Sequence, residues 1–218
     1  MKKVVVVVSV LLSSFILFSG FSSNSDISSQ ILEESREALA SLDDLFAEFT
    51  YQIENPGMQK PIAKTGELKY KQGKYNIKLP GQRIFCDTET VWIYLEEDQE
   101  VNILPYDPEE DGGVSPESVF DIYQTSAKTK YEGIDKVHGV SCHKVFLAIS
   151  DPALEYNRAY IWVNKKTKLL EKLSVINRNQ TMTTYEFVGI RTNVGYNDGD
   201  FRLDVKQLPS GVEVYDER

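Results

Sequence analysis

The chain has only two cysteines, Cys86 and Cys142, and two histidines, His138 and His143, in 218 residues. Two thiols so far apart cannot make a cysteine-based zinc site. They leave two readings open: a Cys86–Cys142 disulfide, or two separate buried thiols. Signatures of catalysis are missing too. There is no G-x-S-x-G elbow, no H-E-x-x-H and no glycine-rich loop that follows a strand and opens a helix. Cys142 and His143 are neighbours in an expected strand, so they point to opposite faces and do not meet. No enzyme activity, metal or cofactor is expected. Basic residues are in deficit: 24 Lys and Arg stand against 33 Asp and Glu, a net charge of −9. Nucleic acid is thereby excluded as a partner, and anionic head groups exert little pull. No sequence period of 20–50 residues recurs, which excludes a solenoid or propeller.

What is present begins with the leader. Lys2 and Lys3 precede an apolar run over residues 4–18, and small residues Gly20 and Ser22 follow it. This is the layout of a secretory signal peptide over 1–22. The run is shorter than the roughly 20 residues a membrane span needs. No cysteine sits just after it, so lipidation of this chain is not expected. Residues 23–218 are expected to form a single domain, and export makes a disulfide chemically permissible.

A helix is expected from Ile31 to Phe49, because Ile31, Leu32, Ser35, Ala38, Leu39, Leu42, Leu45, Phe46 and Phe49 recur at three and four residues. The breaker Asn55-Pro56-Gly57 follows it. The period then changes to two. Strands are expected at 66–70, 75–79, 83–86, 90–95 and 101–104. Five more are expected at 129–134, 140–149, 156–163, 169–176 and 181–190, and a last segment at 201–205. That makes about eleven strands in an antiparallel meander. Ser115-Pro116-Glu117 reads as the start of a second helix, burying Val119, Phe120, Ile122 and Tyr123. The acidic loop 105–113 carries Asp107, Glu109, Glu110 and Asp111. Pro108 interrupts it and its spacing is not that of a calcium loop, so a solvated loop is expected.

Clean alternation in Leu68/Tyr70 and in Tyr75/Ile77/Leu79 gives the sheet one apolar face. With few helices to cover it, that face either closes as a plain core or encloses a cavity for a hydrophobic ligand. The pattern leaves both open.

Four segments, in order, resemble the outer-membrane lipoprotein carrier family, LolA. The helix ending Leu45-Phe46-Ala47-Glu48-Phe49 is similar to the family's opening helix with its terminal Phe. Gly66-Glu67-Leu68-Lys69-Tyr70 is similar to its first strand. Cys86-Asp87-Thr88-Glu89-Thr90-Val91-Trp92-Ile93-Tyr94 resembles its Ser-Asp-Gly-x-x-Leu-Trp-x-Tyr hairpin. Phe201-Arg202-Leu203-Asp204 with Pro209-Ser210-Gly211-Val212-Glu213-Val214 resembles its closing segment. Two departures stand out. Lys71-Gln72-Gly73-Lys74 holds no arginine where family members often carry one that latches the lid. Asp87-Thr88 replaces Asp-Gly.

The resemblance implies a mainly β fold: an incomplete antiparallel β-barrel with a helical lid over a hydrophobic cavity. It implies a monomeric periplasmic carrier that takes acylated lipoproteins from an inner-membrane releasing ABC transporter to an outer-membrane acceptor. A sensing module of the same fold, with no shuttling role, is the alternative. The implied cavity wall is Leu68, Tyr70, Tyr75, Ile77, Val91, Ile93, Leu95, Leu173 and Val175. The implied lid is Leu39, Leu42, Phe46 and Phe49, with Phe120 and Tyr123 from the second helix.

Overall fold

The computed structural model describes residues 24–107, 127–152 and 154–218. The expected leader, most of the acidic loop and the second helix with Phe120 and Tyr123 lie outside them. Helix α1 runs Asn24–Ala40. Ser28, Ile31, Leu32 and Ser35 form its fully buried stripe, at the three- and four-residue spacing that puts side chains on one helical face.

The helix stops well before Phe49. Asp44 ends it: its buried carboxylate accepts from the backbone N–H groups of Val194, Gly195 and Tyr196, at 2.5, 2.7 and 2.7 Å. Strand β1 then occupies Leu45–Glu54. The expectation of a helix to residue 49 is therefore corrected. Leu45, Phe46 and Phe49 fit a helical spacing, but Leu45, Ala47, Phe49 and Tyr51 also alternate. The β-formers Phe49, Thr50, Tyr51 and Ile53 favour the strand.

Eleven further strands follow: β2 (Ile62–Lys71), β3 (Lys74–Leu79), β4 (Gln82–Cys86), β5 (Thr90–Leu95), β6 (Glu100–Pro105), β7 (Ala127–Val137), β8 (Val140–Ile149), β9 (Tyr156–Asn164), β10 (Leu170–Asn177), β11 (Met182–Thr192) and β12 (Glu213–Asp216). All twelve join one sheet in the order β12-β6-β5-β4-β3-β2-β1-β11-β10-β9-β8-β7. Two meanders, β1–β6 and β7–β11, meet where β1 pairs antiparallel with β11. Only β12 is parallel to its neighbour, β6. Bulges in β11, between Val188 and Arg191, and in β7, between Tyr131 and Gly133, add local twist. Among the described residues the sheet does not close; β12 and β7 are its two edges. This is an incomplete barrel with a helix laid across it. No helix among the described residues is long and apolar enough to cross a membrane.

Twelve strands stand against the expected eleven: β1 replaces the helix end and β12 is added, while one expected strand is lost. The expected segment at 201–205 is not a strand: single 3-10 turns occupy Asp198–Phe201 and Val205–Gln207. This C-terminal stretch covers one face of β4–β6, packing Leu203, Val205, Leu208 and Val212 on Phe85, Trp92, Tyr94, Val101 and Ile103. We call that the outer face, and the helix-covered one the inner face. Polar ties hold the stretch down: Arg202 Nε donates to Asp87 Oδ2 at 2.7 Å and Asn76 Nδ2 to the Asp200 carbonyl at 2.7 Å.

Asp87 also organises the β4–β5 turn, accepting from the N–H groups of Glu89 and Thr90 at 3.0 and 2.9 Å. Within that turn Thr88 sits at φ +77°. This left-handed position suits glycine and strains a β-branched residue, which accounts for the family's Asp-Gly. Thr88→Gly is expected to raise stability by about 1 kcal/mol, read as a higher Tm in a thermal melt.

Burial raises the Asp44 carboxyl, but its three backbone donors outweigh that and hold it below the ordinary carboxylate range. Asp44→Ala is expected to cost about 2–3 kcal/mol at neutral pH. A depressed folded-state pKa gives stability that is complete above the unfolded value, about 3.9. It is lost as pH falls through the lower folded value. The wild-type advantage in urea melts should therefore be constant at neutral pH and shrink in strong acid.

Candidate functional site

The inner face is built in rungs by strand register. Ala47, Leu68, Ile77, Ile84 and Ile93 pair in succession across β1–β5. Leu45, Tyr70, Tyr75, Cys86 and Val91 form the next rung. Across the seam, Tyr51, Tyr185, Leu173, Ile161 and Val145 make a third. Val175, paired with Ala159, lies one step along. Leu95, two residues from Ile93, shares its face. Register thus brings all nine sequence-derived wall residues onto one surface.

Burial differs along that surface. Leu68, Tyr70 and Tyr75 are buried, whereas Ile77, Val91, Ile93, Leu95, Leu173 and Val175 are half-buried. Leu39 and Leu42 pack over the β1–β4 part with Ala38, although Leu42 lies just past the end of α1. Phe49 is wall, not helix; its ring tilts against Phe187 and Tyr185 at 6.0 and 6.2 Å. That ring also lies over Gly66, where a Cβ would come within 2.4 Å of it. A close approach of this kind is what the glycine before Glu67 is for. Phe46 is the clear correction. Alternation turns it to the outer face, where the Arg191 guanidinium sits 4.5 Å from its ring centre.

Other inner-face residues escaped sequence reading: Ile84, Tyr51, Tyr185, Phe187 and Ile190. The alternation of Tyr185 and Phe187 was a usable signal. Their pairing with Tyr51 and Phe49 needed the β1–β11 register.

Two contacts fasten the helix, neither using the family's arginine position. Ser28 and Thr129 hydroxyls share a hydrogen bond of 2.6 Å, and Lys168 Nζ meets Glu34 Oε2 at 2.7 Å. The Lys168 hydrogen bond, then that of Gln30, lowers the Glu34 pKa. Ile31 and Leu32 anchor the same end among Val145, Leu147 and Ile161. Lys71 does not substitute as a latch. It donates to the Tyr196 carbonyl at 2.7 Å, and Lys74 pairs with Asp198 at 2.8 Å; both tie down the C-terminal stretch.

Between α1 and the β1, β2 and β11 strands lies an apolar hollow of about 50 Å³, bordered by Leu39, Leu45, Leu68, Phe187 and Ile190. A larger hollow of about 440 Å³ is charged, bordered by Glu48, Glu67, Lys78 and Arg83, a rung of the outer face. Its lining does not suit a hydrocarbon, so the inner face is the candidate site.

His143 lies on the inner face of β8, two residues from Val145. Its Nδ1 lies 3.1 Å from the Tyr131 hydroxyl. Burial, then the positive charges of Lys168 and Lys165, lower its pKa and favour the neutral ring. Cys142 points to the outer face beside Trp162, so the two do not form a nucleophile–base pair. His138 pairs with Glu186 at 3.1 Å. The disulfide alternative is also corrected: Cys86 and Cys142 are not bonded to each other; both are buried, on opposite faces of the sheet, with six strands between theirs. Burial pushes the Cys142 thiol up to about 11, so it stays protonated and unreactive at neutral pH. A thiol reagent should therefore modify neither cysteine rapidly in native protein and both in denaturant. The mass should be the same with and without reductant.

No family model matches the chain. It is 26% identical to an outer-membrane lipoprotein carrier protein of Psychromonas ingrahamii over 222 residues, covering 100% of both chains. Among solved structures it is similar to an uncharacterised conserved protein of Thermus thermophilus. There the TM-score is 0.58 at 10% identity, over 86% of this chain and 97% of that one. It is also similar to the Mycobacterium tuberculosis lipoprotein LppX, with TM-score 0.51 at 12% identity, over 78% of this chain and 97% of that one. These two likenesses concern the fold.

Proposed function

We propose that this divergent LolA-like chain is a carrier that shelters lipoprotein acyl chains on its inner face and moves them through the periplasm from inner to outer membrane. One observation carries the reading: the inner face is a continuous apolar surface that α1 covers only in part, leaving Ile77, Val91, Ile93 and Leu173 half-buried. A plain core would bury them. The full-length likeness to a carrier protein supports the same conclusion.

The energetics fit the task. A buried CH₂ is worth about 0.8 kcal/mol, so each sixteen-carbon chain needs roughly 12 kcal/mol of shelter to cross water. Non-directional apolar contact can supply this without catalysis, and the wall residues would each contribute a little. Helix α1 fixed at its N-terminal end, with Leu39 and Leu42 at the other, would be the cover. A net charge of −9 keeps such a carrier off anionic membrane surfaces between its two encounters. Those encounters would be with an inner-membrane releasing transporter and an outer-membrane acceptor.

Mass spectrometry of protein purified natively from the periplasm should detect a bound acylated peptide or lipid; persistently empty protein would overturn the reading. In parallel, Ile93→Asp should weaken binding of a dansyl-labelled fatty acid at least about ten-fold while lowering Tm by only a few degrees. Loss of folding in proportion to binding would instead mark Ile93 as part of a closed core.

A further inference from the structure

Ser35 lies on the apolar stripe of α1, between Leu32 and Leu39. It is 1% exposed, and its Oγ has no hydrogen-bond partner among the described residues. Two turns earlier on the same stripe, buried Ser28 does have one, the Thr129 hydroxyl. A partnerless buried hydroxyl is unfavourable, and alanine at this position would both avoid that cost and favour the helix. The position therefore calls for a partner from outside the chain.

Among the described residues, Ser35 is the one polar residue bordering the apolar hollow beneath α1. At about 50 Å³ the hollow has room for one small group. Water suits it poorly: a buried water typically makes about three hydrogen bonds, and here it would find one polar neighbour. An occupant that is mostly hydrocarbon but carries a single strong acceptor suits it well. A fatty acyl carbonyl, in an ester or amide, is such a group, with its chain continuing along the apolar rungs.

Resting on the carrier reading above, we propose that the Ser35 hydroxyl donates a hydrogen bond to the acyl carbonyl of the cargo. The site would then select acyl esters and amides over ethers of equal length. Hydrocarbon contact supplies the bulk of the affinity, and Ser35 supplies the chemical discrimination and the depth at which the chain head stops.

The test measures displacement of a dansyl-labelled fatty acid by monopalmitoylglycerol, by its ether analogue hexadecylglycerol, and by palmitoylethanolamine as the amide. Wild-type protein should prefer ester or amide to ether by about ten-fold; whichever of the two binds tighter identifies the linkage read. Ser35→Ala should abolish the preference, leave ether affinity unchanged and keep or raise Tm. Ser35→Thr, which retains the hydroxyl, should keep the preference. If wild type binds ester and ether equally, or Ser35→Ala retains the preference, the Ser35 proposal fails and the carrier reading stands. If wild type binds none of the three and no labelled fatty acid, both fail.

Discussion

The rest of the structure depends on the pairing of β1 with β11. Each meander alone is a ribbon of five or six strands with two unpaired edges. The seam, running from Leu45 opposite Thr192 to Glu54 opposite Met182, turns two ribbons into one sheet. It also aligns their apolar faces, because a slip of one residue would turn the whole inner set of one meander outward. Phe49 beside Phe187 and Tyr51 beside Tyr185 mark the correct register with aromatic contacts on the inner side. Asp44 reinforces it from the end, holding the chain just after β11 against the turn just before β1. The seam joins residues well over a hundred positions apart, so most of its loop-closure entropy must be met by these contacts together.

That non-local character explains what could and could not be read from the residues. The hairpins of β2 to β5 and β8 to β11 were legible, since alternation and turn residues are local signals. The nine proposed wall residues came from the family resemblance, and local alternation supports Leu68, Tyr70, Tyr75 and Ile77 among them. The helix end was not legible. Leu45 and Phe49 satisfy both periods, and a backbone nest 150 residues away, at Val194 to Tyr196, helps decide between them. The same ambiguity misplaced Phe46, whose outward direction only becomes visible once β1 is a strand. Pairing of the cysteines could not be read either, because faces and strand order separate them, and both are tertiary facts. Ser35 looked like one more small residue on a stripe.

The two faces of the sheet are treated differently. The outer face of β4–β6 is closed with the chain's own C-terminal stretch, tied by Arg202, Lys71 and Lys74. Among the described residues, the inner face is covered by one helix, held firmly at its N-terminal end and by apolar contact at the other. Binding of a long hydrocarbon must be reversible if it is to be handed on. In the proposed carrier, half-burial of Ile77, Ile93 and Leu173 would keep the empty state tolerable, and contact without directional bonds would keep the loaded state exchangeable.

The two free edges, β7 and β12, have a mechanical meaning. A closed barrel has a circumference set by its strand number and shear, and widening it requires breaking a ladder of backbone hydrogen bonds. An open sheet can uncurl through twist and coiling alone, with every ladder intact. Its internal width is therefore a soft coordinate, whereas that of a closed barrel is quantised. A container of this kind can conform to different numbers of chains, trading curvature for volume, much as a cupped hand does.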